Sequence, residues 1–253
     1  MLKFNFILVS YILFLILSFF LIGGSYLIIS LVVLTIFFIS ITAWGVSSIQ
    51  SQMFVKSYNS NPKASKKVAI TFDDGPHEEN TPKLLEILES NNAKASFFLI
   101  GENIEKYSQI AKNIHLNGHL IANHSYCHSN NFPFKSPGQI KEDLLRTQSE
   151  LQKITGKQNN YFRPPFGVTN HFIARAVSGL GLKVIGWNIR SLDTTDQEKE
   201  QILKRVTRNL KGGDIILLHD KTKNICWLTT EILSYLKQHN IQSATVEELL
   251  FND

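Results

Sequence analysis

The stretch "TFDDGP" ends a short apolar run in two adjacent carboxylates, Asp73 and Asp74. A turn accounts for this composition, because Asp, Gly and Pro are ordinary loop residues. The other account is chemical. Neighbouring carboxylates repel, and a bound cation relieves the repulsion if one aspartate ligates it and the other stays free as a base. Further along, "NHSYCHSN" carries His124 and His128 at i, i+4. That spacing puts both imidazoles on one face of a helix, and a loop can also close such a pair on a metal. Two histidines and one carboxylate leave coordination positions open, as a catalytic zinc or a non-haem iron needs.

Three more segments carry residues of useful types. In "FRPPFG", Arg163 is either a surface residue before a rigid Pro164-Pro165 turn or a guanidinium that holds a carboxylate ionised. Phe166 is a turn residue or offers its N–H to an oxyanion. "WNIRSLD" brings Trp187, a core aromatic or the wall of a sugar site. It also brings Asp193, which caps the following helix or orients His219. "ILLHD" ends in His219 and Asp220; His219 is a satisfied strand terminus or a titratable group opposite Asp73.

These segments must be positioned by a scaffold. After Lys67 short apolar runs alternate with longer amphipathic ones. The expected strands are Val68–Phe72, Ser96–Ile100, His119–Asn123, Tyr161–Arg163, Lys183–Trp187, Asp214–Leu218 and Gln242–Thr245. The expected helices are Pro82–Asn91, Ile104–Asn117, Pro137–Thr155, Asn170–Leu180, Gln197–Lys211 and Trp227–His239. Thr81 followed by Pro82 reads as an N-cap and first-turn proline, and Gly118, Gly156, Gly181 and Gly212 read as helix ends. Repeated strand–helix alternation implies a parallel sheet with helices outside. Sites in such folds gather at the C-terminal ends of strands, where all five polar segments fall.

Ahead of this region the composition changes. Residues 1–46 hold one charged side chain, Lys3. Phe4–Ile22 and Tyr26–Trp44 are uncharged runs of 19 residues each, close to the ~20 needed to span a bilayer. With Gly23, Gly24 and Ser25 between them they read as a transmembrane helical hairpin; a single long signal-anchor is the alternative, and a cleaved signal peptide has a shorter apolar core. The expected layout is a membrane anchor over 1–46, a polar linker over 47–66 and one globular domain over 67–253. Setting aside Lys3, Lys56, Lys63 and Lys66 leaves 22 of the 26 bases against all 21 acids, so the +5 charge is a juxtamembrane feature that speaks for lipid headgroups and against nucleic acid. A hairpin returns the domain to the side of the N-terminus. The flanking lysines favour the cytoplasm, although the side stays open at this level, since a single span would place the domain outside. Cys127 and Cys226 lack CxxC spacing and read as free thiols.

Taken in order, "TFDDGP", "HSYCH", "RPPFG", "WNIRSLD" and "LLH" resemble the motif series of NodB-homology polysaccharide deacetylases, carbohydrate esterase family four. The resemblance covers Lys67 to the C-terminus and implies a distorted (β/α) barrel of about seven strands, in agreement with the independent strand count. It implies Asp73 as general base and Asp74, His124 and His128 as ligands of a divalent metal, typically zinc. Ser125 would support the loop between the histidines. It further implies that Arg163 pairs with the base, the Phe166 N–H binds the oxyanion, and Asp193 tunes the catalytic His219. Trp187 would line the groove and Leu217 would sit beside the acetyl methyl. Arg190, Leu192 and Thr194 depart from the common pattern and would reshape the groove.

The expected activity is metal-dependent hydrolysis of N-linked, or O-linked, acetyl groups on an amino-sugar glycan or glycolipid. The substrates implied are peptidoglycan, a chitin-like polymer or a lipid-linked amino sugar. A deformylase on a lipid-linked sugar, an iron oxygenase built on the same ligand trio and a non-catalytic membrane-tethered glycan-binding module are the competing readings.

Overall fold

The computed structural model describes residues 2–252. Its first two elements are α1 (Leu2–Leu21) and α2 (Gly24–Ser47), joined through Gly23 and through Gly24 at φ +58°. Both are uniformly apolar, with a mean hydropathy of 2.5 over Lys3–Leu21 and Gly24–Ser47, and almost none of that surface is covered by protein. A rise of 1.5 Å per residue makes them ~30–36 Å long, the thickness of a bilayer core. By length and composition they are candidate spans. Tyr11 Oη and Thr35 Oγ1 lie 2.9 Å apart and clasp the pair at mid-length.

The domain follows as β1 (Ser57–Tyr58), β2 (Lys67–Gly75), α3 (Asn80–Ser90), β3 (Ser96–Leu99), α4 (Gly101–Lys106), α5 (Ser108–Leu116) and β4 (Leu120–Asn123). Then come α6 (Pro137–Thr155), β5 (Tyr161–Phe162), α7 (His171–Leu180), β6 (Lys183–Ile185) and β7 (Ile189–Arg190). The chain closes with α8 (Lys199–Thr207), β8 (Ile215–His219), α9 (Ile225–Gln238), β9 (Gln242–Ala244) and α10 (Val246–Leu250). All strand pairings are parallel, in the order β1-β6-β5-β4-β3-β2-β8-β7, with β9 added beside the start of β2. Among the described residues β1 and β7 do not pair, so the curled sheet is an open, distorted (β/α) barrel.

Alternation along β2 explains how the sheet carries chemistry on one face. Val68, Ile70 and Phe72 pack into one core cluster with α3 and α9, while Ala69 belongs to the other, inside the curl. Thr71 and Asp73 share the parity of Ala69 and therefore point inward.

Several expectations need correction. Among the described residues the strands number nine in place of seven, because β1 and β7 are two residues long and too short to show any periodicity. Residues 47–66 are not a free linker. Ile49, Met53 and Phe54 are buried, β1 joins the sheet edge against β6, and Ser60 bridges Asp214. The helix expected over Ile104–Asn117 is two, breaking at Tyr107 (φ −123°), and that expected over Gln197–Lys211 spans only Lys199–Thr207. Thr81 lies inside α3 and caps nothing; its hydroxyl donates to Asp220 Oδ2 at 2.6 Å. Gly212 is no helix end either, since α8 stops at Thr207; the close approach of the Ser65 backbone, which a Cβ would strike, is what requires glycine there. By contrast α6 has the expected bounds, because a capping box of Ser136 and Gln139, Pro137 at its start and Gly156 at φ +68° mark both ends locally. Cys127 and Cys226 are free.

Candidate active site

A cleft of about 250 Å³ opens at the C-terminal ends of the strands, and Asp73, Asp74, His124, His128, Trp187 and His219 line it. Adjacent residues of a regular strand face opposite sides of a sheet, so Asp73 and Asp74 need a backbone device to share one cleft. It is a register shift of β2 against β3 between Asp73 and Gly75, with Asp74 at φ +74°. Left-handed backbone is unfavourable by ~1–2 kcal/mol for a residue with a side chain. Of the eight non-glycine residues in that region, Asp74, Ser125, His128, Phe166 and Leu192 all lie at or beside the cleft. Such strain persists where surrounding structure enforces it, typically at functional sites.

Asp74 Oδ1 lies 3.4 Å from His124 Nε2 and 3.4 Å from His128 Nε2. Tetrahedral zinc with bonds of ~2.0–2.1 Å sets its ligand atoms ~3.3 Å apart, so this trio has the required spacing. Asp74 Oδ1 is also buried without a hydrogen-bond donor among the described residues, an arrangement that a cation would satisfy. His124 Nδ1 lies 2.8 Å from the Arg163 carbonyl, which selects the tautomer with a free lone pair on Nε2. Burial works against the Asp74 charge, but His124, Lys221 and His128 outweigh it and hold the carboxyl well below the usual range. Burial and the neighbouring His124 depress His128 to about 4, so His128 is a free base at neutral pH.

Asp73 is kept apart from this trio. Its Oδ1 accepts from Arg163 Nη1 at 2.6 Å, and its Oδ2 stands 3.7 Å from His124 Nε2. Arg163 is fully buried inside the curl. It donates to Thr71 Oγ1 at 2.8 Å and to the carbonyls of Ile185 and Gly186, and its guanidinium lies 3.9 Å from the Phe98 ring centre. It therefore ties β2 to the end of β6 and is no surface residue.

The third group is His219, at the end of β8. Its Nδ1 lies 2.8 Å from Asp193 Oδ1, and its backbone N–H donates to Asp193 Oδ2 at 2.7 Å. Burial would lower the His219 pKa, but the Asp193 bond and charge outweigh that and raise it. Asp193 is thus an orienting partner of His219, and α8 begins only at Lys199. Trp187 and Leu217 are buried at the cleft wall. Phe166, at φ +61°, sets its ring edge-on to His128 with centroids 4.6 Å apart. Ser125 Oγ accepts from the His128 N–H at 3.1 Å. All the singled-out residues are brought together.

Other members of the assembly escaped the sequence reading. Lys221 Nζ lies 2.8 Å from Asp74 Oδ2, and Asn103 Nδ2 donates to the Asp74 carbonyl. Ser191 Oγ donates to Asp193 Oδ1, and Asp143 Oδ1 accepts the Tyr126 N–H behind the histidine loop. Lys221 stands two residues beyond His219, which was its one local signal. Asn103 and Asp143 had none, because their partners are distant in sequence.

A profile of the family described as polysaccharide deacetylase matches residues 60–185. A peptidoglycan-N-acetylglucosamine deacetylase of Bacillus cereus is 34% identical over 160 residues, covering 63% of this chain and 58% of the relative. The chain thus spans little more than half of that protein. A chitooligosaccharide deacetylase of Azorhizobium caulinodans is 34% identical over 154 residues, covering 60% of this chain and 73% of the relative. Among solved structures, a peptidoglycan N-acetylglucosamine deacetylase in complex with an N-hydroxybenzamide superposes with a TM-score of 0.72 at 30% identity, covering 77% of this chain and 92% of that one. A structure described as a pseudoenzyme of carbohydrate esterase family four from Bacillus anthracis superposes with a TM-score of 0.71 at 26% identity, covering 77% and 68%. On motif order, curled parallel sheet and these similarities together, the chain belongs to the polysaccharide deacetylase family.

Proposed function

We propose that the chain is a metal-dependent hydrolase that removes N-linked acetyl groups from an amino-sugar glycan or glycolipid, held at a membrane by the hairpin of α1 and α2. One observation carries this reading. Asp74, His124 and His128 converge on a single point, while Arg163 holds Asp73 and Asp193 holds His219 beside it.

Asp74 Oδ1 and the two Nε2 atoms would hold a divalent metal, for which zinc suits the donor set. When bound, the metal supplies an acidified water and polarises the acyl oxygen. Asp73 acts as general base: Arg163 occupies its Oδ1 and leaves Oδ2 to accept the proton of the attacking water. The Phe166 N–H donates to the developing oxyanion, a contact typically worth ~10²–10³ in turnover. His219 carries its proton on Nε2 and gives it to the departing nitrogen, since an amide nitrogen leaves poorly as an anion. Asp193 accepts a hydrogen bond from Nδ1–H and stabilises the imidazolium. Leu217 packs against the acyl methyl, and Trp187 faces the sugar. A formyl group fits the same arrangement.

The test is acyl release from N-acetylglucosamine oligomers by the full chain in nanodiscs. Expected are zinc-dependent acetate release, loss on chelation, restoration by zinc, and loss of metal and rate in Asp74→Ala. Similarity to a protein described as a pseudoenzyme favours one second reading, a non-catalytic glycan-binding module. Binding of the oligomers with no acyl release from N-acetyl or N-formyl sugars by the zinc-loaded chain would establish that reading.

A further inference from the structure

The junction between hairpin and domain restricts where the cleft can work. α2 ends at Ser47, and Ile49 is already buried in the domain at 2% exposure, so hardly any flexible chain separates the candidate span from the fold. The same junction holds two walls of the cleft. The Thr169 N–H donates to the Val46 carbonyl in the last turn of α2 at 3.0 Å, three residues after Phe166. Gln50 Nε2 donates to the Trp187 carbonyl at 2.7 Å. Ala174 of α7 packs in one cluster with Met53, Phe54 and the membrane-side residues Phe4, Ile7 and Ile41. Exposed aromatics surround this region: Trp44 on α2, Phe172 at the start of α7, and Phe134 in a turn whose Pro133 carbonyl accepts from Asn170 Nδ2. Aromatic side chains of this kind suit the headgroup layer. A cleft fixed in this way stays at the bilayer surface and has no tether with which to reach a distant polymer.

The cleft also presents unused positive charge. Arg190 pairs with Leu217 in the sheet register, which puts it on the cleft face while Ile189 packs into the opposite core. Its guanidinium lines the cleft and meets no carboxylate among the described residues. Lys221 also lines the cleft, but its Nζ already lies 2.8 Å from Asp74 Oδ2. A neutral acetamido sugar does not require Arg190, whereas a phosphate would engage its guanidinium.

We infer that the substrate is an N-acylated amino sugar still joined through phosphate to a lipid carrier, with Arg190 recognising the phosphate. This rests on the proposed deacylase reading. The experiment uses the zinc-loaded full chain in nanodiscs and three substrates: polyprenyl-phosphate N-acetylglucosamine in the same bilayer, a short-chain soluble ester of N-acetylglucosamine 1-phosphate, and a neutral N-acetylglucosamine oligomer. The expected order of kcat/KM for acetate release is lipid-linked, then soluble phosphate, then neutral, with at least about tenfold between first and last. Arg190→Gln should reduce the ratio of lipid-linked to neutral rate by about tenfold, and Arg190→Lys should restore part of it, with metal content equal in all three proteins. Equal rates on lipid-linked and soluble phosphates would overturn the lipid assignment. A neutral oligomer turned over as fast as either, or an Arg190→Gln loss equal on all substrates, would overturn phosphate recognition. Acetate from none of them would overturn the deacylase reading and this inference with it.

Discussion

Replacing Asp73 with Asn separates the proposed base from the proposed ligands. Asp73 and Arg163 form a buried pair at 2.6 Å, with side-chain exposures of 5% and 0%. Removing one partner of such a pair costs up to ~3–5 kcal/mol, because the other charge is left unpaired. Asn keeps an oxygen for Arg163 Nη1, and the guanidinium retains Thr71 Oγ1 and the Ile185 and Gly186 carbonyls. The loss should therefore resemble that of one charge-assisted hydrogen bond, ~1.5–3 kcal/mol. Against a total stability of ~5–15 kcal/mol the variant stays folded, and Tm falls by roughly 3–10 °C. The three atoms that would hold the metal do not include Asp73, so metal content measured by mass spectrometry should match the parent chain. Turnover should fall by ~10²–10⁴, the usual worth of a general base. A rate within tenfold of the parent, or loss of metal from Asp73→Asn with retention in Asp74→Asn, would refute the division of roles.

Three further outcomes follow from the same geometry. Asp193→Asn removes the charge and acceptor that raise the His219 pKa, so the alkaline limb of kcat/KM should move to lower pH, with a larger rate loss at pH 8 than at pH 6. Asp220 is buried, and burial together with the Asp74 charge lifts it to about 7. The folded chain then binds a proton that the unfolded carboxyl releases near ~4, so stability declines as pH rises from ~4 to 7. Asp220→Asn should remove that decline, seen in urea unfolding as a gain of at least about 1 kcal/mol at pH 8 relative to pH 5. Gly167 has φ +68°, and a Cβ there would strike the Trp187 ring. Gly167→Ala should displace the cleft wall and lower kcat/KM by ~10–100-fold while metal content is unchanged; an unaltered kcat/KM would show that this wall does not contact substrate.

The sequence alone determined which residues are candidates for the chemistry and on which edge of the fold they stand. Apolar runs that stop at Asp73, His124, Arg163 and His219 mark strand ends, and strand–helix alternation puts those ends on one side of a parallel sheet. That information is local, held in periodicity and in caps such as Ser136 and Gly156. The tertiary structure decided what the local pattern could not. It set two adjacent aspartates into one cleft through the irregularity at Asp74, and it threaded Arg163 through the interior to reach Thr71 and Asp73. It brought Lys221 onto Asp74, and it turned the polar stretch 47–66 from a tether into a sheet edge that fixes the cleft beside α2. Each of these is a contact between segments distant along the chain, or a strand of two residues. Such features have no period to read and become visible only when the chain is packed.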